Sequence, residues 1–387
     1  MKKFYNSKLI RCVSNVKSYL ILGMILLNVS VSYAQIPVTV SGTAVTTPPL
    51  AGSYTSLADA LTNLNAISAY STPGTIVFTC AAGSSETAPP TGLVIGSATL
   101  NPLLSATNTV TIIKASGIVT VNAGVGTATP TSAAPDGIIS IRGADYITID
   151  GLTLTDGNAA NPATMEFGIG LFKAGAGDGW NNNTIQNCTI NMQRINNAAA
   201  TSPMIEGAVG ILVINSTAIA ATTALTPTNG GTIGTNGTNS GNRFYTNAIN
   251  SGNYGIGISG FAATVGVGPT PNATTFLGDL GNDIGGVSAG TGNTILNYGG
   301  GATTSPASGI RANNQWSVNI SYNTVDNNNG SGVNHATTLR GIFAQAGTSA
   351  AATLSNNTVT VRSGATTSGL IAIDNGIGGT ALSGNTI

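Results

Sequence analysis

The sequence predicts an all-β chain, a parallel β-helix (β-solenoid) with a short N-terminal capping helix. Three observations predict this fold class. Two short sequence motifs, which we call phrases, recur together near the end of the chain: Gly-(Ile/Leu) and Asn-Thr-(Ile/Val). Successive copies of each lie 28 to 34 residues apart. Glycine is abundant, with 52 residues among 387, whereas only 7% of residues are charged. One segment alone has helical spacing of apolar residues. A period near 30 residues with two short strands is typical of stacked coils, because one coil cannot bury its apolar side alone.

Residues 1–34 have the pattern of a secretory signal peptide. Five basic residues precede and border an apolar run from Tyr19 to Leu27, and small residues stand at Ser32 and Ala34. We therefore expect cleavage near Ala34 and a chain that is secreted or held on the outer cell surface. The alternative is an uncleaved membrane anchor, although the run is short for a span of about 20 residues. No later segment predicts a membrane span.

Removal of that segment leaves a mildly acidic chain. Five of the 13 basic residues lie within it, so eight remain against all 13 acidic residues. Binding to nucleic acid requires a basic stripe that neutralises phosphates. The charge balance therefore excludes nucleic acid as a partner.

Residues 35–108 predict a lead-in followed by an N-terminal cap. Ser56 is suited to cap a helix, with Asp59 three residues later. Four apolar residues then recur at helical spacing and form one stripe: Leu57, Leu61, Leu64 and Ile67. Such a stripe needs a partner surface, and the open end of a solenoid provides one. Pro73-Gly74 ends this unit, and Thr75–Cys80 predicts the first strand.

Residues 109–387 predict the coils themselves, roughly nine or ten of them. One recurring phrase is Gly-(Ile/Leu), at Gly210, Gly255, Gly309, Gly341 and Gly369. The other is Asn-Thr-(Ile/Val), at Asn183, Asn293, Asn323, Asn357 and Asn385, with Asn242-Arg243-Phe244 as a looser copy. We expect inward Ile and Val to form a continuous column, and Asn at the bends to bond to its stacked copies. The last copy ends at Ile387, which predicts repeats that are truncated at the C-terminus.

Four segments carry a resemblance to a known group. They are residues 54–65, residues 74–78 (Gly-Thr-Ile-Val-Phe), residues 146–154 (Tyr-Ile-Thr-Ile-Asp-Gly-Leu-Thr-Leu) and residues 182–190 (Asn-Asn-Thr-Ile-Gln-Asn-Cys-Thr-Ile). With the repeats, they resemble the right-handed parallel β-helix repeat proteins exported by Bacteroidetes-type bacteria. The resemblance covers most of the chain after the signal and implies a right-handed coil. It also implies cell-surface or adhesive roles and a C-terminal sorting domain of the type IX secretion pathway, which this chain lacks.

Carboxylates are the strongest candidates for chemistry, because many parallel β-helices are polysaccharide lyases or hydrolases of the pectin lyase-like kind. Such enzymes need a calcium-binding acid cluster with a base, or two or three closely spaced acids. Two sets qualify by position: Asp279, Asp283 and Asp326 with Arg311 as the nearest base, and separately Asp145, Asp150 and Asp156. Neither set forms the dense acidic pattern of these enzymes. We therefore predict no catalytic residue, and keep the polysaccharide lyase or hydrolase as the alternative function.

Other motifs predict structure and not chemistry. Gly255–Gly260 matches a dinucleotide fingerprint, but no strand-to-helix context follows, so we interpret it as a coil corner. His335 is the only histidine and is expected in a solvated loop, which disfavours metal clusters and histidine-based triads. Cys80 and Cys188 are expected to be buried thiols, with a disulfide as the alternative that export permits. No cofactor-binding and no metal-binding residue is predicted.

Four aromatic residues could stack on sugars, although packing is the preferred interpretation: Trp180, Trp316, Tyr298 and Tyr322. The leading hypothesis is a secreted or cell-surface structural or adhesive β-solenoid that acts through a long regular face. Its expected partners are extracellular polysaccharide or cell-surface components. A non-catalytic glycan-binding module is a further alternative.

Overall fold

The computed structural model describes most of the chain that follows the predicted signal peptide. The described residues are 34–127, 132–158, 164–194, 207–227, 237–261, 278–300, 306–327, 335–345, 351–364, 369–377 and 379–387. From Gln35 onward they belong to one compact unit. Of the predicted signal, residues 1–34, only Ala34 lies within the described part of the chain.

Three sheets run the length of this unit, and the chain visits them in a fixed order. Sheet 1 contains β7 (Leu93–Ile95), β10 (Gly137–Arg142), β13 (Phe167–Phe172), β16 (Val209–Ile214), β19 (Tyr254–Ser259), β22 (Ala307–Asn313), β25 (Leu339–Gln345) and β28 (Leu370–Asn375). Sheet 2 contains β5 (Thr75–Cys80), β8 (Thr109–Lys114), β11 (Ile147–Asp150), β14 (Thr184–Gln186), β17 (Arg243–Tyr245), β20 (Asp279–Ile284), β23 (Gln315–Ser321), β26 (Ala351–Ser355) and β29 (Gly379–Ser383). Sheet 3 contains β6 (Ser85–Thr87), β9 (Thr120–Asn122), β12 (Thr153–Thr155), β15 (Thr189–Asn191), β18 (Ala248–Asn250), β21 (Thr294–Leu296), β24 (Thr324–Asp326) and β27 (Thr358–Thr360).

Successive strands within each of these sheets pair in parallel, so the chain forms a parallel β-helix and the predicted fold class is confirmed. Each complete coil supplies one strand to each sheet, whereas the sequence predicted two strands per period. Among the described residues, eight successive coils have all three strands, from β5–β7 to β26–β28. Parallel pairing begins before residue 109, because β5 (Thr75–Cys80) already pairs with β8.

The N-terminal elements border the first coils. Strand β1 (Val38–Gly42) pairs antiparallel with β5 and with β3 (Ser53–Tyr54), and thus extends sheet 2. Strand β2 (Val45–Thr47) pairs antiparallel with β4 (Ala69–Thr72). Helix α1 (Leu57–Asn65) lies between β3 and β4 in the chain, and single turns of 3-10 helix occur at Asn101–Leu103 and Ala289–Thr291.

Helix α1 confirms the predicted cap. The Ser56 hydroxyl accepts a hydrogen bond from the Asp59 N–H at 3.0 Å, and the apolar stripe packs against β7 of the first coil. The inner column of sheet 3 begins with Glu86, which is buried. Its carboxylate accepts hydrogen bonds from the N–H groups of Leu57 at 2.8 Å and Ala58 at 3.0 Å. A carboxylate is favourable there, because the N-terminus of a helix carries partial positive charge and unsatisfied N–H donors.

Aliphatic columns fill the interior. The clearest is a column of isoleucines in sheet 1, one from each of seven successive strands: Ile139, Ile169, Ile211, Ile256, Ile310, Ile342 and Ile373. All except the half-buried Ile373 are at most 1% exposed. Burial of each such side chain stabilises the fold by roughly 1.5–3 kcal/mol, so the column is a principal source of cohesion between coils.

A glycine column stands beside the isoleucines where sheet 1 faces sheet 3: Gly168, Gly210, Gly255, Gly309 and Gly341. A Cβ atom at Gly255 would lie 2.4 Å from the Cγ2 of Ile295 in sheet 3. These glycines therefore allow the two sheets to approach, which explains the Gly-(Ile/Leu) phrase. The predicted copy at Gly369 is wrong, because the residue in register with Gly341 is Ala372, three positions later.

Stacked asparagines form two hydrogen-bonded ladders, one at each of two corners of the coil. The sheet 2 ladder contains Asn183 and Asn242, which directly precede β14 and β17, and Asn282, which lies within β20. The sheet 3 ladder stands at the entry to sheet 3 and contains Asn247, Asn293, Asn323, Asn357 and Asn385. Bonding between stacked asparagine amides is confirmed. The interpretation of the Asn-Thr-(Ile/Val) phrase as one series is wrong, because its copy at Asn183 belongs to the other corner.

Candidate functional site

Most connections from sheet 2 to sheet 3 are short, so few residues protrude at the border between these two sheets. Only two residues separate β14 from β15 and β23 from β24. One of the two adopts a left-handed conformation, as at Asn187 (φ 55°) and Tyr322 (φ 61°), and the other occupies the buried ladder position. Asparagine suits both places, because it tolerates positive φ and its amide replaces missing backbone partners. Longer connections join β5 to β6 (residues 81–84), β8 to β9 (residues 115–119) and β20 to β21 (residues 285–293), and the last contains the 3-10 turn Ala289–Thr291.

The outer face of sheet 3 displays two columns of small polar side chains, which we call the threonine wall. The first column is Ser85, Thr120, Thr153, Thr189, Ala248, Thr294, Thr324 and Thr358. The second column is Thr87, Asn122, Thr155, Asn191, Asn250, Leu296, Asp326 and Thr360. All of these positions are half-buried or exposed, whereas the residue between them in each strand is buried.

The outer face of sheet 2 carries hydrogen-bonded carboxylates. Asp283 accepts a hydrogen bond from the Tyr245 hydroxyl at 2.7 Å and another from the Asn319 amide at 2.7 Å. Burial and the bond to Asp283 raise the pKa of Tyr245 to about 12. Three coils earlier, Asp150 accepts from the amides of Gln186 at 2.8 Å and Asn187 at 2.7 Å. Both carboxylates thus join neighbouring coils.

The first predicted acidic set does not come together at one face. Asp279 and Asp283 lie at opposite ends of β20, and Asp326 lies in sheet 3, on the threonine wall. Asp279 is fully buried and accepts from the Asn239 N–H at 3.0 Å, and burial raises its pKa to about 6. Arg311 lies in sheet 1, with its guanidinium 5.5 Å from the Tyr254 ring centre. The register of the coils thus places these four residues in three different sheets.

The second predicted set is also dispersed. Asp145 lies at the corner between sheets 1 and 2, Asp150 on the outer face of sheet 2, and Asp156 just after sheet 3. Asp156 is buried near Glu166. Glu166 and Asp136 are linked, because the Asp136 N–H donates to a Glu166 carboxylate oxygen at 2.7 Å. Burial, with a smaller contribution from both neighbouring acids, raises the pKa of Glu166 to about 8.

A pocket with a volume of about 540 Å³ lies at the corner between sheets 1 and 2. Its polar lining includes Asn101, Arg142, Lys173 and Asp178. The Asn101 amide donates to the Asp178 carboxylate at 3.1 Å and to the Arg142 carbonyl at 2.9 Å. The sequence did not single out any of these four residues. They stand far apart along the chain, and only the stacking of coils brings them to one corner.

Two charged groups at this corner have displaced pKa values. Lys173 is 1% exposed and donates to the Gly237 carbonyl. Burial lowers its pKa to about 8, although Asp279 and Asp178 act in the opposite direction. Burial raises the pKa of Asp145 to about 7, against a hydrogen bond of 2.5 Å from the Asn181 N–H. Displaced pKa values in a cleft are typical of functional sites, although buried structural networks produce them as well.

The remaining candidates have structural roles. Trp180, Trp316 and Tyr298 are at most 1% exposed, so the packing interpretation is confirmed for these three, and Tyr322 is half-buried at a corner. Gly255–Ser259 lie within strand β19 and not at a corner, so close sheet packing explains this fingerprint match.

His335 and the two cysteines are all buried. The prediction of a solvated His335 is wrong: it is fully buried, and its Nδ1 accepts from the Gly300 N–H at 3.2 Å. Cys80 and Cys188 are buried free thiols, as predicted.

Two common functional features are absent from the described ranges. No group of three or more His, Cys, Asp or Glu side chains there is arranged to hold a metal ion. No helix in that part of the chain is long and apolar enough to cross a membrane.

Comparison of the chain with protein-family models, with curated proteins and with solved structures finds no match.

Proposed function

We propose that this protein is a secreted or cell-surface β-solenoid with a structural or adhesive role, and that it acts through the outer faces of its coils. The observation that carries the proposal is the threonine wall, whose first column stays in register over eight strands from Ser85 to Thr358. A regular, weakly charged face of this length offers many equivalent contacts, and many weak contacts held on one body produce strong adhesion.

Two further features support this proposal. The sheet 3 ladder joins consecutive coils beside the wall, so the contact positions are held by buried hydrogen bonds. The signal-like pattern of residues 1–34 supports export, and the resemblance to Bacteroidetes-type repeat proteins supports a surface location reached through the type IX pathway.

A binding and turnover assay tests the proposed function. The purified protein is mixed with insoluble polysaccharides and with intact bacterial cells, and bound protein is separated by centrifugation. In parallel, pectin, polygalacturonate, alginate and glycosaminoglycans are assayed for new reducing ends and for unsaturated, ultraviolet-absorbing products. We expect retention on at least one surface without product. Sustained product formation, or no retention on any surface, would contradict the proposal.

A second function, action on an acidic polysaccharide, is favoured by the pocket between sheets 1 and 2. Arg142 offers a guanidinium that suits a sugar carboxylate, and Lys173 has a pKa of about 8, which suits a base that removes the proton next to that carboxylate. Asp178 also lines the pocket, and burial raises its pKa, so its protonated form would donate a proton to the leaving oxygen as the bond from that oxygen to the sugar ring breaks. This assignment replaces the dispersed set of Asp279, Asp283 and Asp326.

The Arg142→Gln variant tests this second function, because Arg142 is half-buried and its loss removes a charge and not a core side chain. If the pocket cleaves polysaccharide, the variant loses product formation while it keeps the melting temperature of the parent. If the pocket binds a glycan without chemistry, the variant loses affinity for soluble oligogalacturonate, and neither protein forms product. Equal behaviour of the two proteins would remove the pocket from consideration.

A further inference from the structure

The threonine wall has two repeat distances. Along each column, successive rungs are about 4.8 Å apart, because that is the spacing of paired strands. Across each strand, the first and second columns are two residues apart, which corresponds to about 6.6 Å. The pairing is uninterrupted across the eight strands that carry these columns.

A tetrahedral network of water has closely similar distances. Hydrogen-bonded oxygens lie about 2.75 Å apart, and tetrahedral geometry then places second neighbours about 4.5 Å apart. In the hexagonal form of the network, the repeat along the axis is eight thirds of the bond, or about 7.3 Å. Both wall spacings therefore agree with this network to within about 10 per cent.

The side-chain chemistry of the wall suits ordered water. Threonine is β-branched, so its χ1 angle is restricted and its hydroxyl and methyl groups hold fixed directions. The hydroxyl group can donate and accept, as a lattice water does. In the second column, the Asn250 amide donates to the side-chain oxygen of Asn191 at 3.0 Å, which holds both amides in register. Asp326 is the only charged residue in the two columns, and Leu296 and Ala248 are the apolar interruptions.

The same chemistry is poorly suited to a crystalline sugar surface. Flat sugar rings are typically bound by exposed aromatic rings, and the two columns contain none. The large aromatic residues Trp180, Trp316 and Tyr298 are buried instead. A neutral polysaccharide is therefore the competing occupant, and the test below distinguishes it.

The wall is also rigid and accessible at its border with sheet 2. At the last four rungs, the Nδ2 group of each ladder asparagine donates to a carbonyl of sheet 2, as Asn323 does to Ile284 at 3.0 Å and Asn357 to Ile320 at 2.8 Å. Five of the eight described corners at that border have only two residues and one has four, and the longest connection there is residues 285–293, between β20 and β21. A flat solid can approach such a face, and a preorganised face loses little conformational entropy on binding.

We propose that the threonine wall binds the surface of ice, with the hydroxyl and amide groups of its two columns occupying positions of the water lattice. The inference deepens the proposed adhesive function, since it names ice as the surface to which this face adheres.

Ice growth provides the test. A single ice crystal is held in a solution of the purified protein, and the gap between its melting and freezing temperatures is measured, together with the fraction of protein that enters a slowly growing ice front. The test variants are Thr153→Lys and Thr189→Lys in the first column. The matched control is Thr148→Lys, which lies in the same coil as Thr153 and on the outer face of sheet 2. Circular dichroism melts establish that all three variants remain folded.

We expect the parent and Thr148→Lys to produce a temperature gap and to enter ice, and both wall variants to lose most of each effect. A folded parent that produces no gap and is excluded from ice overturns the inference, as does an equal loss in Thr148→Lys. If the parent is excluded from ice but is retained on polysaccharide and Thr153→Lys is not, the wall binds sugar: the ice inference fails and the proposed adhesive function stands. Failure on ice, polysaccharide and cells together rejects both.

Discussion

The side-chain oxygen of Asn323 accepts two hydrogen bonds from Asn293, one from its backbone N–H at 3.1 Å and one from its amide at 2.9 Å. Asn323 in turn donates to Asn357 at 3.0 Å through both groups. Each asparagine thus accepts two hydrogen bonds from the preceding coil and donates two to the next coil. All three residues are at most 1% exposed, so a missing rung leaves buried donors without an acceptor.

Replacement of Asn323 tests this ladder. We expect Asn323→Ala to lower the free energy of unfolding by about 1–3 kcal/mol, because two buried N–H donors of Asn293 lose their acceptor. Asn122→Ala is the matched control, since Asn122 is half-buried on the outer face of sheet 3. Urea unfolding followed by circular dichroism measures both. Equal midpoints for the two variants would show that the ladder does not stabilise the coils.

The glycine column predicts a steric effect. We expect Gly255→Ala to destabilise the protein by about 1–3 kcal/mol, because its Cβ would lie 2.4 Å from Ile295 and 2.7 Å from the Gly309 carbonyl oxygen. Gly52→Ala is the control, since no atom lies within 4 Å of the added methyl group. In combination with Ile295→Ala, the cost of Gly255→Ala should fall, because space becomes available. Strict additivity in this double-mutant cycle would contradict the proposed contact.

The buried carboxylate beneath helix α1 predicts a capping effect. We expect Glu86→Gln to lower stability by about 1–3 kcal/mol, because the N–H groups of Leu57 and Ala58 lose a charged acceptor at the helix N-terminus. Asp59→Asn removes a charge from the same first turn and serves as the control. Thermal melts and amide hydrogen exchange of residues 57–65 measure the effect. Unchanged exchange there would contradict the capping role.

The raised pKa of Glu166 predicts a pH dependence. Its ordinary value of 4.5 rises to about 8 in the folded chain, chiefly through burial. The folded state therefore holds a proton that the unfolded state releases, and this contribution to stability is lost as the pH rises from about 5 to about 8. Asp145 and Asp279 act with the same sign, since their pKa values rise to about 7 and about 6.

The Glu166→Gln variant isolates this contribution. A neutral amide does not lose a proton, so we expect the variant to be more stable than the parent at pH 8, by about 1–3 kcal/mol, and to show a flatter dependence of melting temperature on pH. Melting curves between pH 5 and pH 8 provide the measurement. Parallel curves for parent and variant would exclude Glu166 as the titrating group.

The two cysteines predict protection from thiol reagents. Burial raises the pKa of Cys80 and of Cys188 to about 12, so thiolate is scarce and access is poor. We expect alkylation at both sites to be negligible in the native protein and complete in denaturant, as measured by peptide mass spectrometry. Rapid native alkylation at Cys188 would indicate that sheets 2 and 3 separate at this corner.

Sequence patterns that extend over a few residues predicted helix α1 and several strands of sheet 1. The stripe from Leu57 to Leu64 with its Ser56 cap identified the helix, because capping and helical spacing act within four residues. The recurrence of Gly-Ile identified sheet 1, because each coil must present the same small and large side chains to its neighbours. Strand β23 was missed, since Gln315–Ser321 carries no phrase that other coils repeat.

Register was harder to predict, because equivalent local sequences occupy different corners. Asn183-Thr184-Ile185 and Asn323-Thr324-Val325 have the same pattern, yet they enter sheet 2 and sheet 3 respectively. Only the pairing with neighbouring coils distinguishes them. His335 shows the same limit: one polar residue beside asparagines predicts a loop, whereas the fold buries its ring against Gly300.

By itself, the sequence determined that this protein is a stack of β coils with a helical cap, because its period and composition permit little else. The tertiary structure alone decided which side chains meet. It divided Asp279, Asp283 and Asp326 among separate environments, and it assembled Arg142, Lys173 and Asp178 around one pocket. It also aligned the threonine wall. The physical reason is that insertions between strands vary in length, so the distance along the chain does not report which residues lie one rung apart.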